Sequence, residues 1–422
     1  MLKFKKIFSL FSLVAFVLTA FAGMTACSDS DDPDYDALNQ VNTGLPEKAP
    51  RSVLVYMAAD NSLGASSFDR ENLADMIKAS ADGLLGNSRL IIYHDRYVAK
   101  KHGENDENTN EIERPALKEV TPKGLRILKY YEHTPHSTSV ERIQEVIRDF
   151  KMIAPAERYG LIYWSHSTAW PFENEKLNSR IMLTSIGEDD GHKQNIPSLA
   201  EALDGQGFDY IYFDCCHMAS VECLYELRNV ADKFAGSVTE LPGDGMPYYL
   251  TLPYLMPKEA DLEGAAAATF AKYDALTGAA RTCTMSVINA ASLERLADAT
   301  RKIYEQHPVL PAGYAGQAFE RSKRNGDPCF LFDFENYITA LYANNSNPAM
   351  RQAYAEWLLA LGECVSYSAY TPTVFERLNL NTCCGLSTYI LRKASDADTK
   401  GYNRLQWYGD VASYLFNNQD GD

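Results

Sequence analysis

The sequence has few cysteines and few basic residues for its length, and each shortage excludes a class of protein. Nine cysteines in 422 residues are too few for a fold that depends on a framework of disulfides. Lys and Arg number 40 against 56 Asp and Glu, which gives a net charge of −16. A surface this acidic repels phosphate groups, so we expect neither a nucleic-acid partner nor attraction to an anionic membrane surface.

Long apolar runs are confined to the N-terminus. Residues 7–22 are mostly apolar, three lysines precede them, and Met24-Thr25-Ala26-Cys27 follows. This order is typical of a secretory signal, and Cys27 resembles the lipidated cysteine of a bacterial lipoprotein. A simple secretory signal with an incidental cysteine is the alternative. We predict a signal peptide over residues 1–26 and a lipid anchor on Cys27, which would hold the protein on the outer membrane or cell surface of a Gram-negative bacterium.

Two further regions follow the signal. Residues 27–48 are acidic and have few large apolar side chains, so we expect a solvated tether. Neither a repeat nor a Pro/Gly-rich linker divides residues 49–422. We therefore predict one domain there, with no further membrane contact, and we expect a monomer.

Strand and helix patterns alternate through this domain, which predicts a mostly parallel sheet with helices on both faces. The clearest helix is the one predicted after residue 131, because Thr138 and Glu141 fit a capping box at its start. Strands are predicted at 53–59, 90–94, 125–131, 160–164, 210–213 and 234–238, and helices at 66–81, 138–150 and 218–232. An α/β extension follows, with helices at 262–273, 292–306 and 350–361 and strands at 284–288 and 386–391.

Two of these strands end in reactive side chains. The strand at 160–164 leads to His166, and the strand at 210–213 leads to Cys215 and Cys216. Ligands bind at the carboxyl ends of parallel strands, and a nearby helix N-terminus would lower a thiol pKa. An imidazole within reach would take the thiol proton and return it to a leaving amine. A structural histidine and an inert buried cysteine remain the alternative.

These segments resemble the clostripain-like cysteine peptidases, a family with the caspase-type fold. The resemblance rests on residues 52–63, 213–222 and 225–248, covers most of 51–250, and thins toward the C-terminus. It implies a caspase-like three-layer αβα sandwich with a mostly parallel central sheet and a C-terminal α/β extension. It also implies Cys216 as the nucleophile and His166 as its base.

The same resemblance implies peptide or protein substrates with basic residues. Asp214 and Asp244 would line the pocket for the side chain before the cleaved bond, where carboxylates attract Arg or Lys. The alternative for Asp244 is an ordinary turn residue in Pro-Gly-Asp-Gly.

One position departs from the family pattern. A glycine follows the histidine in the family, and its backbone N–H joins that of the cysteine in holding the oxyanion. Here Ser167 stands there, and serine keeps the N–H donor but disfavours a positive φ. A reshaped loop would leave a catalytically impaired surface lipoprotein that binds cationic peptides, which is the alternative function.

Cys215 and His217 compete with the two proposed catalytic residues. Adjacent side chains of a strand point to opposite faces, so only one of Cys215 and Cys216 faces the histidine. The family pattern has a small apolar residue at 215, which favours Cys216. His217 is expected to be structural, with a secondary role as a base as its alternative.

The resemblance and the basic specificity together suggest a single-chain zymogen that cleaves itself. Lys176, Arg180 and Lys193 lie between the histidine and the cysteine, and Arg180 is the first choice. A Cys–His pair requires no metal or organic cofactor. Calcium is possible, and the acidic loop 188–191 is a candidate for it, although a plain solvated loop is the alternative.

Overall fold

The computed structural model describes residues 48–97, 114–171, 186–320, 329–345 and 347–416. The predicted signal peptide, Cys27, nearly all of the tether, and two self-cleavage candidates, Lys176 and Arg180, lie outside these residues. Across the described part of the chain, no helix combines the length and apolar character that a membrane span requires. The eight cysteines that lie within it are all free thiols.

The strands of the described residues form one large central sheet and three small two-stranded sheets. The central sheet has nine strands in the order β12-β10-β9-β8-β5-β1-β2-β3-β4. The strands are β1 (Ala49–Ala59), β2 (Arg89–Arg96), β3 (Ala116–Thr121), β4 (Gly124–Tyr130), β5 (Ala156–Trp164), β6 (Ile186–Asp189), β7 (His192–Gln194), β8 (Phe208–Asp214), β9 (Ala231–Gly236), β10 (Thr284–Asn289), β11 (Phe332–Asp333), β12 (Val365–Tyr370), β13 (Thr373–Val374), β14 (Leu378–Asn379) and β15 (Ser387–Thr388).

The middle of the sheet is parallel and its two margins are antiparallel. Strands β9, β8, β5, β1 and β2 pair in parallel, whereas β3, β4, β10 and β12 add antiparallel pairs. The sheet thus confirms the predicted mostly parallel core, with antiparallel additions at both edges.

The helices cover both faces of the sheet. They are α1 (Ser62–Ala65), α2 (Phe68–Ala81), α3 (Val140–Ile153), α4 (Ile196–Leu203), α5 (Val221–Glu226), α6 (Tyr248–Leu255), α7 (Leu262–Asp274), α8 (Leu293–Tyr304), α9 (Phe334–Ala343), α10 (Pro348–Cys364) and α11 (Gln406–Asp410), with 3₁₀ turns at Gly278–Ala280, Ala290–Ser292, Ala394–Arg404 and Ala412–Leu415.

Strand β1 shows why its sequence is apolar at every position. Leu54 and Tyr56 belong to the core cluster on one face of the sheet, whereas Val53 and Val55 belong to the cluster on the other face. Side chains of a strand alternate between faces, so a central strand covered on both sides needs an uninterrupted apolar run. This is the sandwich that the fold prediction describes.

Three local predictions were wrong. The helix predicted over 218–232 is only α5, because residues 231–236 instead form β9 and pair with β8. The N-cap of α3 is Ser139, whose hydroxyl accepts the N–H of Arg142, rather than Thr138. The strand predicted at 386–391 is reduced to the two residues of β15.

Candidate active site

The site lies where three neighbouring parallel strands end. Strands β5 and β8 are paired in register from Gly160 with Tyr210 to Trp164 with Asp214. His166 and Cys216 therefore each lie two residues beyond the last pair. Strand β1 is the other neighbour of β5, and its end leads into α1. Parallel strands thus deliver the three loops to one edge, as a binding site of this fold class requires.

A cavity of about 390 Å³ opens at this edge. It brings together most of the residues that the sequence singled out, including both proposed catalytic side chains. The lining residues are Ser62, Leu63, Trp164, Ser165, His166, Ser167, Thr168, Glu188, Lys193, Asp214, Cys215, Cys216, His217, Glu240, Leu241, Pro242, Gly243, Gly245 and Phe375.

His166 is half-buried at the wall of this cavity. Its Nε2 lies 2.8 Å from the Oγ atom of Ser62. Burial lowers the pKa of His166, Glu188 opposes that change, and Lys193 adds to it. The imidazole is therefore neutral at neutral pH, which is the protonation state of a general base.

The thiol of Cys216 is protonated in the resting protein. Burial raises its pKa to about 12, and nearby Glu240 adds to the rise. The N–H of Leu241 lies 3.4 Å from Sγ and acts in the opposite direction. The expectation of a thiol activated by a helix N-terminus was wrong, because α5 begins only at Val221. A base must take the thiol proton before Cys216 can attack.

The two rival residues have mainly structural surroundings. Cys215 is 4% exposed and packs in the hydrophobic core on the face that also holds Phe213. His217 is buried, with Nδ1 3.1 Å from the carbonyl oxygen of Val238 and a left-handed φ of 60°. Its contacts are those of a residue that fixes the turn after Cys216.

The serine after the histidine fits its backbone without strain. The left-handed residue of this loop is Ala169, with φ 65°, rather than Ser167. Ser167 Oγ accepts the N–H of Ala169 at 3.2 Å, and its backbone forms a β-bridge with Ile186. Among the described residues, neither the N–H of Ser167 nor that of Cys216 has a hydrogen-bond acceptor.

Asp214 lies at the floor of the cavity. Its carboxylate accepts hydrogen bonds from the N–H of Met246 at 2.7 Å and from the hydroxyl of Tyr248 at 2.9 Å. Burial raises the pKa of Asp214 to about 6 even though both hydrogen bonds lower it. Gly245, with φ 63°, passes so close that a Cβ atom would lie 2.6 Å from Oδ1.

The structure does not bring the side chain of Asp244 into the cavity. Asp244 is exposed in a tight turn closed by the hydrogen bond from Gly245 N–H to the Pro242 carbonyl. Its own carbonyl accepts the amide of Asn72 at 2.9 Å. Its placement is that of the alternative, a turn residue.

Three lining residues were missed from the sequence. Ser62 contacts His166. Its signals in the sequence were its place in the family-like segment 52–63 and the pattern of Asn61 and Ser62 after a strand, which is typical of a helix start. Glu188 and Glu240 also line the cavity. Glu188 was singled out only as part of the acidic loop 188–191, the calcium candidate, and glutamates in loops are ordinarily solvated. Nothing in the sequence placed either glutamate at this cavity.

A second group of acids lies beside the cavity. Carboxylate oxygens of Asp60, Asp95 and Asp189 lie within 4.8 Å of one another, and all three residues are buried. Asp189 Oδ2 accepts the N–H of Ser137 at 2.6 Å, whereas its Oδ1 has no hydrogen-bond partner. Clustered carboxylate oxygens suit a hard cation such as Ca²⁺. Of the acidic loop predicted for calcium, only Asp189 joins this group.

The chain matches a known protein family and is similar in fold to several solved structures. The model of the clostripain family matches residues 55–412. An inactive zymogen C11 protease from Parabacteroides distasonis is 28% identical, with a TM-score of 0.69 over 87% of this chain and 99% of its own. A secreted C11 cysteine protease from Bacteroides thetaiotaomicron, in complex with an irreversible peptide inhibitor, is 26% identical, with a TM-score of 0.68 over 86% of this chain and 99% of its own.

A further structure of a secreted C11 cysteine protease from Bacteroides thetaiotaomicron is similar in fold alone. It is 21% identical, with a TM-score of 0.69 over 87% of this chain and all of its own. Among proteins with curated functional descriptions, none matches the sequence significantly.

Proposed function

Because the chain belongs to the clostripain family of cysteine peptidases, we propose that it cleaves peptide bonds after Arg or Lys with a Cys216–His166 dyad. The observation that carries this proposal is the shared cavity. A neutral imidazole, a protonated thiol and a buried carboxylate all line it, at the ends of adjacent strands.

The reaction proceeds through an acyl-enzyme. His166 takes the proton of the Cys216 thiol, and the resulting thiolate attacks the carbonyl carbon of the substrate. The imidazolium then gives its proton to the leaving amine as the C–N bond breaks, which leaves a thioester. His166 next takes a proton from water, the hydroxide formed attacks the thioester, and the thiol leaves with that proton.

The backbone N–H groups of Ser167 and Cys216 form the proposed oxyanion hole. Both residues line the cavity, and neither N–H is already used by an acceptor in the described part of the chain. Donors that point at the developing oxyanion contribute about 10²–10³-fold to the rate. The ordinary backbone of Ser167 favours activity over the impaired alternative.

Asp214 is proposed to select the basic side chain. Its carboxylate is buried and fixed by two hydrogen bonds, and it faces the cavity without a salt-bridge partner among the described residues. A buried carboxylate is costly to ionise. A guanidinium or ammonium group of the substrate would offset this free-energy cost by pairing with the ionised carboxylate. Asp244 stays a prediction for this pocket, and its exposure favours the turn-residue alternative.

Maturation by self-cleavage is part of the proposal. Lys193 lies in β7 and lines the cavity, and a strand residue must unfold locally before it can enter an active site. That cost favours Arg180 or Lys176, which lie outside the described residues. One similar structure is an inactive zymogen, which supports a single-chain precursor.

We also propose the lipid-anchored location. The N-terminal signal and Cys27 support it, and one similar protein is described as secreted. The substrates would then be peptides or proteins outside the cell, and the membrane contact would be the lipid alone.

Calcium is proposed as a bound ion outside the chemistry. Asp60, Asp95 and Asp189 would hold it, and the unpartnered Oδ1 of buried Asp189 fits such a ligand. The ion would supply a fixed positive charge at the ends of β1, β2 and β6. The thiol and imidazole perform acyl transfer without it.

A fluorogenic peptide with Arg before the reporter tests the main proposal. We expect cleavage that is lost in Cys216→Ala and after alkylation of the thiol, whereas Cys215→Ala retains it. The competing function, a surface lipoprotein that binds cationic peptides, predicts binding of the same peptide without turnover in the wild type. Turnover that persists in Cys216→Ala would contradict the dyad.

A further inference from the structure

His166 has a hydroxyl partner that the dyad does not include. Ser62 Oγ lies 2.8 Å from Nε2 of His166, although the two residues are 104 positions apart. Both residues line the cavity that holds Cys216. A distance of 2.8 Å is that of a well-formed hydrogen bond, and the bond that one ring nitrogen makes sets which nitrogen of a neutral histidine carries the proton.

Hydrogen bonds to the backbone hold the chain segments on both sides of this contact. Asn61 is 6% exposed, and its Nδ2 donates to the carbonyls of Ala58 at 2.8 Å and Glu188 at 2.9 Å. Its Oδ1 accepts the N–H of Leu63 and so caps the helix that begins with Ser62. One amide side chain therefore fixes the end of β1, the start of α1 and the strand β6 together.

Ser165, the residue before the histidine, bonds to the same two residues as Asn61 does. Ser165 Oγ donates to the Ala58 carbonyl at 3.0 Å and accepts the N–H of Glu188 at 3.1 Å. Ser62 and His166 are thus carried on two chain segments that share the same two anchors. Buried and half-buried hydrogen bonds set the relative position of these two segments, whereas Ser62 itself is exposed and its contact with His166 faces solvent.

We infer that Ser62 is a positioning residue that makes Nδ1 of His166 the atom that exchanges the proton with Cys216. When Nε2 carries its hydrogen, the Ser62 oxygen accepts it, and the lone pair of Nδ1 remains for the thiol proton. After that transfer both ring nitrogens carry hydrogen, and Ser62 still accepts from Nε2. The hydroxyl therefore serves the neutral base and the imidazolium alike.

This role fills a place that a carboxylate takes in serine proteases. Within the described residues, the hydrogen-bond partner of the His166 ring is Ser62, whereas Glu188 and Lys193 act on its pKa through space. A neutral acceptor stabilises the imidazolium less than a carboxylate does. The base thus stays neutral at rest, in keeping with its lowered pKa.

The inference rests on the proposed dyad, and three variants of the full chain test it. Ser62→Ala removes the acceptor, and Ser62→Thr keeps the hydroxyl. Ser66→Ala is the matched control, because Ser66 is exposed at the end of the same short helix. The readouts are kcat and KM for an Arg peptide, the pH profile of kcat, and ¹⁵N NMR of the histidine ring.

We expect Ser62→Ala to lower kcat by about 10- to 100-fold, below the about 10²–10⁴-fold worth of a whole general base, with KM within twofold. The acid limb of kcat should move to lower pH, because the imidazolium loses an acceptor and deprotonates more readily, so the neutral base persists to lower pH. The ¹⁵N shifts of His166 should show a mixture of tautomers in place of Nε2–H alone. Ser62→Thr should recover most of kcat, and Ser66→Ala should match the wild type.

Two results would overturn the inference. An unchanged kcat and pH profile in Ser62→Ala would show that the contact has no role in catalysis. A raised kcat would show that Ser62 holds His166 in an unproductive orientation. If the wild type cleaves no basic peptide, the pH dependence of Cys216 alkylation in Ser62→Ala still tests Ser62 independently. Turnover in Cys216→Ala would instead remove the proposed function itself.

Discussion

The carboxylate of Asp214 lies against the backbone of Gly245, so closely that a Cβ atom on that residue would sit 2.6 Å from Oδ1. The hydroxyl of Tyr273 donates to the carbonyl of the same glycine at 2.5 Å. The residue is therefore held between the floor of the cavity and the helix behind it. Its left-handed φ of 63° and its lack of a side chain are both required there.

We expect Gly245→Ala to damage recognition of basic substrates. The new methyl group must displace the Asp214 carboxylate, and alanine is strained at this φ by about 1–2 kcal/mol. We predict a rise in KM for an Arg peptide of at least tenfold, together with a lower melting temperature. Gly362→Ala is the control, because Gly362 lies inside α10 with open space around it. That variant should be as active as the wild type and more stable by about 0.5–1 kcal/mol, and equal behaviour of the two variants would contradict the role of Gly245.

The pH dependence of substrate binding should report the Asp214 carboxyl. Its pKa is raised to about 6 by burial, so the group is ionised above that pH and becomes neutral below it. A cationic side chain is attracted only by the ionised form. We therefore expect KM for an Arg peptide to rise steeply as the pH falls through 6, whereas KM for the matching citrulline peptide stays flat.

The variant Asp214→Asn separates recognition from thiol chemistry. It should lose the preference for Arg over citrulline at every pH and retain alkylation of Cys216. An Arg preference that survives in Asp214→Asn would assign recognition elsewhere, with Asp244→Ala as the next variant to measure.

Self-cleavage should leave a chain broken between His166 and Asp214. We expect purified wild-type protein to convert to two fragments, and Cys216→Ala to stay a single chain. Arg180→Gln should slow the conversion most, and replacement of Lys176, Arg180 and Lys193 together should stop it. Gel electrophoresis and mass spectrometry of the new N-terminus measure this. A triple variant that remains intact yet fully active would show that maturation is not needed.

Calcium should raise the stability of the protein through the buried acids. A ligand present at 100 times its dissociation constant adds about 2.7 kcal/mol, which appears as a higher melting temperature. We expect this rise to be lost in Asp189→Asn and kept in Asp244→Asn, whose carboxylate is exposed. Terbium luminescence that calcium quenches would give a direct binding signal. An equal melting temperature in calcium and in a chelator would leave the three carboxylates without an ion.

The layout of the reactive strand ends was predictable because it follows from register. Continuous apolar runs marked β1, β5 and β8 as buried strands, and parallel neighbours bring their carboxyl ends together. The fixed offset that pairs Gly160 with Tyr210 also relates His166 to Cys216. A short-range pattern thus placed two distant side chains at one cavity.

Features that depend on long-range packing could not be predicted. Asp244 is carried outward because Gly245 must turn beneath Asp214, a contact that no local pattern encodes. Asp60 and Asp95 meet only because β1 and β2 are neighbours. The helix predicted over 218–232 gives way to β9, since burial against β8 overrides local helix propensity there.

One short loop after β9 contacts both the proposed nucleophile and the proposed specificity pocket. Leu241 N–H bonds to the Cys216 sulfur, and five residues later Met246 N–H bonds to Asp214. A displacement of this loop would break both hydrogen bonds at once. It would change the surroundings of the Cys216 sulfur and release the Asp214 carboxylate from one of its two donors. We therefore expect that a compound which binds beside this loop and displaces it would inhibit the peptidase without contacting the Cys216 sulfur.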